Sequence, residues 1–185
     1  MDVDNSEKER RRKLYHVFDQ IKSTGGTLVI GGDFFDFWFD YKSIVPNGYV
    51  DLMDQLENLS QSDIPIHFIL GNHDYWDFGY FKKKFNAKVY KGNLEEKNDI
   101  GRIQICHGDG LLRNDIGYRF MRKIIRSQIC IFLFQNFPSQ WGYWIANKIS
   151  RSSEKYHHHD AKSQVIRKEM IEYARTQWDK GCKVV

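Results

Sequence analysis

The first pattern along the chain is helical. Leu14, Val17, Phe18 and Ile21 recur at three- and four-residue spacing behind the charged run Glu7 to Lys13, which predicts an amphipathic helix over residues 6–23. Gly25-Gly26 ends it. The β-branched run from Thr27 to Ile30 then predicts a short buried strand that stops at Gly31-Gly32. Tyr49, Leu52, Met53, Leu56 and Leu59 mark a second amphipathic helix, and Ile64 to Leu70 a second apolar strand with Pro65 near its start. Alternation of helix, strand, helix and strand predicts a layered α/β fold, with parallel strands joined by helical crossovers.

Shorter signals follow. Phe78 to Phe85 reads as a brief helix, Ala87 to Tyr90 as a strand, and the segment around Glu95 to Asp99 as a charged turn. Arg102 to Cys106 is a third apolar strand, running into His107-Gly108-Asp109-Gly110. From Asp115 to Lys148 basic and aromatic residues alternate at helical spacing, interrupted by Pro138 and Gly142, which predicts two or three short helices forming an inserted cap over about residues 115–150. Residues 150–160 read as a polar loop. Val165, Ile166, Ile171, Ala174 and Trp178 mark a final helix, and Gly181 to Val185 the opening of one more strand.

Composition adds bounds to this outline. With 185 residues, 41% hydrophobic and 15% aromatic, the chain suits a single compact domain over 1–185. The net charge of +4 is unevenly placed: Arg113, Arg119, Arg122, Lys123 and Arg126 stand against one acid, Asp115. Such a patch fits phosphates or an anionic membrane surface, and charge alone fits a solvated helix face as well. Cys106, Cys130 and Cys182 have no paired spacing and read as reduced core residues of a cytoplasmic protein. The longest near-continuous apolar run, Ile129 to Phe134, falls far short of the ~20 residues that span a bilayer, so no spanning segment and no signal peptide are expected. Acids are spread through the chain, and no nucleic-acid-binding pattern or protein-partner signal emerges.

The chemistry concentrates where the three strands end. Asp33 follows Gly31-Gly32, Asn72-His73-Asp74 follows Gly71, and His107 leads into Gly108-Asp109. Taken alone, an Asp after Gly-Gly is a turn residue or helix cap more often than a ligand, and a lone His after a strand is most often a hydrogen-bonder. Three such corners together point elsewhere. Ligands gather at the carboxyl edge of α/β sheets, so one parallel or mixed sheet would bring Asp33, Asn72 and His107 to one place. A carboxylate, an amide oxygen and an imidazole suit Mn²⁺, Fe²⁺ or Zn²⁺, and the neighbouring Asp109 offers a candidate acceptor for the second imidazole nitrogen.

Gly32-Asp33-Phe34-Phe35-Asp36, Gly71-Asn72-His73-Asp74 and His107-Gly108-Asp109 resemble three of the five motif blocks of the calcineurin-like metallophosphoesterases. More narrowly, Asp33 to Trp38, Tyr41-Lys42 with Val45-Pro46, Gly71 to Trp76, and His107 to Gly110 followed by Asp115 to Tyr118 resemble the UDP-2,3-diacylglucosamine pyrophosphatases of lipid A biosynthesis. The likeness runs from about residue 7 to the chain end. It implies a metallophosphoesterase-type β-sheet core flanked by helices, and a cofactor of two divalent metal ions, Mn²⁺ foremost. It implies a cytoplasmic hydrolase, peripheral to the inner leaflet of a membrane, that splits the pyrophosphate of UDP-2,3-diacylglucosamine into UMP and 2,3-diacylglucosamine 1-phosphate.

In that family Asp33 would bridge both metals, while Asn72 and His107 would hold the second. His73 would be the catalytic residue, stabilising charge or donating a proton; some pyrophosphatases carry arginine there. Asn72 and His73 would also contact the nucleotide-lipid substrate, with Asp115 and Ser152. Asp115 is equally a candidate N-cap for the following helix. In the cap, Ile129 to Phe134, Trp141 and Trp144 would line an acyl groove or pack the cap's own small core, while Arg119, Arg122, Lys123 and Arg126 would face anionic headgroups. His157-His158-His159 reads as a solvated loop.

Two of the family's blocks have no counterpart. No Asp-x-His precedes the first helix, and no Gly-His-x-His follows Cys182, so four expected ligands and the first and last motif strands are missing. One metal would keep Asp33 alone and the other three of four ligands, with apolar sheet edges exposed. The expectation is a chain incomplete at both ends, with weak or no activity. Two alternatives stand beside the pyrophosphatase reading: another calcineurin-like phosphodiesterase or phosphatase, and a non-catalytic binding remnant of the same fold.

Overall fold

The computed structural model describes residues 5–40, 47–111, 116–136 and 160–185, with Asn47, Phe134 and residues 160–163 described by backbone alone. Asp115, Ser152, Trp141, Trp144, Arg113, the triple-His segment and the Tyr41 to Pro46 stretch lie outside these residues. The described elements are α1 (Asn5–Thr24), β1 (Leu28–Ile30), a 3₁₀ turn (Asn47–Tyr49), α2 (Val50–Gln61), β2 (Ile66–Ile69), α3 (Tyr80–Phe85), β3 (Lys88–Tyr90), β4 (Leu94–Asn98), β5 (Gly101–Ile105), α4 (Ile116–Ile125), α5 (Gln128–Asn136), α6 (Asp160–Asp179) and β6 (Cys182–Val184). They divide into two compact units, the first Met1–Ile30, Lys42–Phe68 and Phe78–Val89, the second Gly31–Tyr41, Ile69–Asp77 and Tyr90–Val185.

In the first unit β1 and β2 pair in parallel, Leu28 opposite Ile66 and Ile30 opposite Phe68. Pro65 sits ahead of this ladder, where it donates nothing and its carbonyl accepts the Leu28 amide at 2.9 Å. The apolar faces of the helices close over the strands: Phe18 from α1, Leu52, Met53, Leu56 and Leu59 from α2, and Phe81 and Phe85 from α3 are all buried. Phe68 and Phe81 stack at 4.3 Å between ring centres. The charged half of α1 has a specific partner. Arg11 reaches Asp51 in the first turn of α2 at 2.6 Å and the Gly48 carbonyl at 2.7 Å, and Tyr15 donates to the other Asp51 oxygen at 2.6 Å. Burial and that hydrogen bond push the Tyr15 hydroxyl up to about 12.

In the second unit β4 and β5 form an antiparallel hairpin and β6 adds in parallel beside β5. This corrects one expectation. Glu95 to Asn98 is strand, not turn, and only Asp99 and Ile100 make the reversal, with the Ile100 amide donating to the Asn98 side chain at 3.0 Å. Within β4 only Leu94 is buried and Glu95 to Asn98 are exposed, so cross-strand pairing and not hydrophobic pattern sets this segment's conformation. A second correction concerns the sheet. Among the described residues the strands form two three-stranded sheets, β1-β2-β3 and β4-β5-β6, so the third motif strand is not on the sheet of the first two. The opening of a further strand at Cys182 is present as β6. Only Cys182 is buried; Cys106 and Cys130 are half-buried thiols, and burial pushes both thiol pKa values up.

The segment after β1 is held by aromatic packing and by a bridge to the segment after β2. Trp38 donates its amide to the His73 carbonyl at 2.7 Å and Asp40 to the Trp76 carbonyl at 3.1 Å, with Phe39 and Trp76 bridged in parallel. Phe37 and Phe39 meet the Trp76 ring edge-on at 5.9 and 5.1 Å. Aromatic rings therefore fix the two corners against each other. Among the described residues no helix is long and apolar enough to cross a membrane.

Candidate metal centre

The second unit brings Asp33, Asn72 and His107 together. His107 Nε2 lies 3.2 Å from Asn72 Oδ1 and 3.3 Å from Asp33 Oδ2. Its Nδ1 lies 3.1 Å from the Gly31 carbonyl. A carbonyl only accepts, so Nδ1 carries the hydrogen and Nε2 is the nitrogen turned toward the two oxygens. The acceptor orienting the ring thus comes from the corner after β1, not from Asp109. Asp33 Oδ1 accepts the His73 amide at 2.9 Å, which locks the first corner to the second.

The corners approach so closely that glycine is required at two positions. A Cβ on Gly32, at φ +96°, would fall 2.6 Å from His107 Nδ1 and 2.9 Å from the Gly71 nitrogen. A Cβ on Gly71 would collide with the Asp33 carboxylate. Asp33 itself lies in the left-handed region at φ 51°, which Asp tolerates better than most side chains.

Asp74 does what the motif alone did not announce. It is fully buried, and its two oxygens accept the Gly71 amide at 2.6 Å and the Phe34 amide at 2.8 Å, one from each corner. Burial holds its pKa above the ordinary value against those two hydrogen bonds. An acid three residues after a glycine in a tight corner was the available signal. Arg122 and Arg126 were also misread. Both pair with Asp109, at 2.6 and 2.7 Å, instead of facing headgroups, while Arg119 and Lys123 are exposed.

The electrostatics follow from this packing. Burial works against the Asp33 carboxylate, and hydrogen bonds from His107 and the His73 amide more than offset it, so its pKa lies below the ordinary value. The hydrogen bond to Asp33 raises the His107 pKa, against burial. A proton taken up at Nε2 and a cation held by Nε2 and the two oxygens would compete for the same place. The donor set fits such a cation. Two ligand atoms each ~2.1 Å from an ion and at right angles around it lie about 3 Å apart, close to the separations here. It is nonetheless a set of two ionisable groups and an amide. Among the described residues no group of three His, Cys, Asp or Glu is arranged to hold a metal.

His73 is half-buried, with Nδ1 donating to the Asp36 carbonyl, so Nε2 is the nitrogen left for other partners. Tyr118 on α4 stands among Asp109, Arg126 and Arg122, and burial with the Asp109 charge pushes its hydroxyl up to about 12.

A layered α/β fold whose strand-end corners converge as a carboxylate, an amide and an imidazole is that of a metal-dependent phosphoesterase. The family model described as calcineurin-like phosphoesterase matches residues 7–165. The chain belongs to that family. Curated relatives named UDP-2,3-diacylglucosamine hydrolase are similar to it: that of Porphyromonas gingivalis is 29% identical over 149 residues, covering 78% of this chain and 57% of the relative. That of Histophilus somni is 31% identical over 153 residues, covering 79% and 64%. That of Pseudomonas fluorescens is 29% identical over 126 residues, covering 68% and 50%. The chain spans about half to two thirds of the length of these relatives.

Proposed function

We propose that this protein hydrolyses the pyrophosphate of a nucleotide lipid, UDP-2,3-diacylglucosamine, to UMP and 2,3-diacylglucosamine 1-phosphate, within one metallophosphoesterase domain. The observation that carries the reading is the convergence of Asp33 and Asn72 oxygens within 3.3 Å of His107 Nε2, on a chain whose relatives bear that substrate's name. Asp33, Asn72 and His107 would hold a divalent ion, Mn²⁺ foremost. When bound, a pair of such ions supplies an acidified water and positive charge against phosphoryl oxygens. Around that chemistry the Gly31 carbonyl orients His107, and hydrogen bonds from His107 and the His73 amide favour the Asp33 carboxylate. His73, anchored through Nδ1 on Asp36, presents Nε2–H when protonated and can donate to the phosphate or its leaving group.

The lipid half of the substrate and a peripheral place on the inner leaflet are supported by α4 and α5. Ile116, Phe120, Met121, Ile124, Ile129, Phe132 and Leu133 are all exposed. Asp115 and Ser152 are retained as the substrate contacts that the resemblance implies. A second reading, nucleotide-lipid binding without turnover, is favoured by the donor set's holding, among the described residues, two ionisable ligands and an amide.

Calorimetric titration of Mn²⁺ into the chain, beside UMP release from the acylated nucleotide, tests both. Mn²⁺ binding that is lost in Asp33→Ala and in His107→Ala is expected. UMP release that tracks it supports the hydrolase, and substrate binding with no UMP supports the second reading. Folded protein that binds no Mn²⁺ sinks the metal reading.

A further inference from the structure

The carboxyl end of α4 is tied to two of the three corners. Arg126, one residue past the helix, sets its guanidinium carbon 4.0 Å from the centre of the Tyr75 ring. From Nη2 it donates to the Gly71 carbonyl at 3.3 Å and to Asp109 Oδ2 at 2.7 Å. In the opposite direction Trp76 Nε1 donates to the Ile125 carbonyl at 3.2 Å, an acceptor that the helix end leaves without an internal donor. Gly71, Tyr75 and Trp76 all flank Asn72, and Asp109 stands two residues from His107. The planar guanidinium lays a face on the Tyr75 ring while its Nη2 alone reaches both acceptors, and a compact ammonium has no such face. The Arg126 side chain is only 13% exposed, so Asp109 and the ring replace the water it has lost.

We infer that Arg126 is a positioning residue that docks α4 onto the Asn72 and His107 corners, so that the meeting of Asn72 Oδ1 with His107 Nε2 depends on the helix being seated. Its consequence for metal affinity rests on the metal reading above; the mechanical coupling does not.

Hydrogen exchange read by mass spectrometry on the 185-residue chain tests the coupling in two segments, 71–77 and 116–126. Arg126→Ala is expected to speed exchange in both, and guanidinium added to the buffer to restore part of the protection. Arg126→Lys keeps the charge without the planar face and should recover less than half of it. Arg119→Ala, an exposed arginine on the same helix, should leave both segments unchanged. With Mn²⁺ as the probe, Arg126→Ala should weaken binding about tenfold, the usual scale for losing a group that orients a ligand. Faster exchange confined to 116–126 would mean a loosened helix and would overturn the inference, as would no change in either segment. If Arg126→Ala does not fold, Tyr75→Leu removes the ring face alone and decides by the same two segments. A parent chain that binds no Mn²⁺ defeats the metal reading, and the exchange result still decides the coupling.

Discussion

Helices α2 and α4 carry the same kind of pattern and use it in opposite ways. In α2 the apolar stripe faces inward, with Leu56 and Leu59 fully buried. In α4 the stripe faces outward: Ile116 is 74% and Phe120 67% exposed, while Arg122 on the opposite face pairs with Asp109. Periodicity says which residues share a face. It does not say which face meets the protein. A single carboxylate, its side chain 9% exposed and paired with two guanidinium groups, decides that for α4, because leaving Asp109 unpaired would cost more than leaving a few apolar side chains in water.

The contrast can be broken at several points. Leu56→Ala should have the largest effect, lowering stability by about 2–5 kcal/mol in urea unfolding, because it leaves a cavity among α2's neighbours. Asp74→Asn comes next, at about 1–3 kcal/mol, since an amide can accept from only one of the Phe34 and Gly71 amides and turns an N–H toward the other. Phe120→Ser should change stability by no more than about 0.5 kcal/mol, yet reduce sedimentation with anionic lipid vesicles. A cost comparable to that of Leu56→Ala would show that α4's outer face is core after all.

The smallest effect belongs to Asp51. Burial raises its pKa, but the hydrogen bonds from Tyr15 and Arg11 outweigh burial and hold it below the ordinary carboxylate value. Its contribution to stability is therefore present above the unfolded-state pKa and lost as pH falls through the folded one. Urea midpoints in Asp51→Asn should show a flatter acid limb than the parent. Because the pair is half exposed, the change should be modest.

The local signals were legible in sequence. β1 and β2 announced themselves by short apolar runs closed by glycine, and Asp33, Asn72 and His107 by their places after strands. What could not be read was pairing. Glu95 to Asn98 has no apolar residue, so nothing local distinguishes it from a charged turn until β5 lies beside it. The His107 partner, Gly31, stands 76 residues away, and the adjacent Asp109 was the nearer candidate. Arg122 and Arg126 looked like a headgroup patch because charge counting cannot see the carboxylate they share.

The left-handed backbone at Asp33 means that the residue there is chosen twice. The conformation admits glycine, asparagine or aspartate with little strain, and excludes the branched and bulky side chains. The contacts of the corner then remove glycine, which has no side-chain oxygen to accept the His73 amide, and asparagine, which brings no charge to His107 Nε2. Glutamate, the obvious conservative replacement, passes the second filter and fails the first. Only aspartate passes both, so substitution at position 33 has no neutral neighbour: Asp33→Gly would ease the turn and, in the same step, remove the carboxylate that accepts the His73 amide and faces His107.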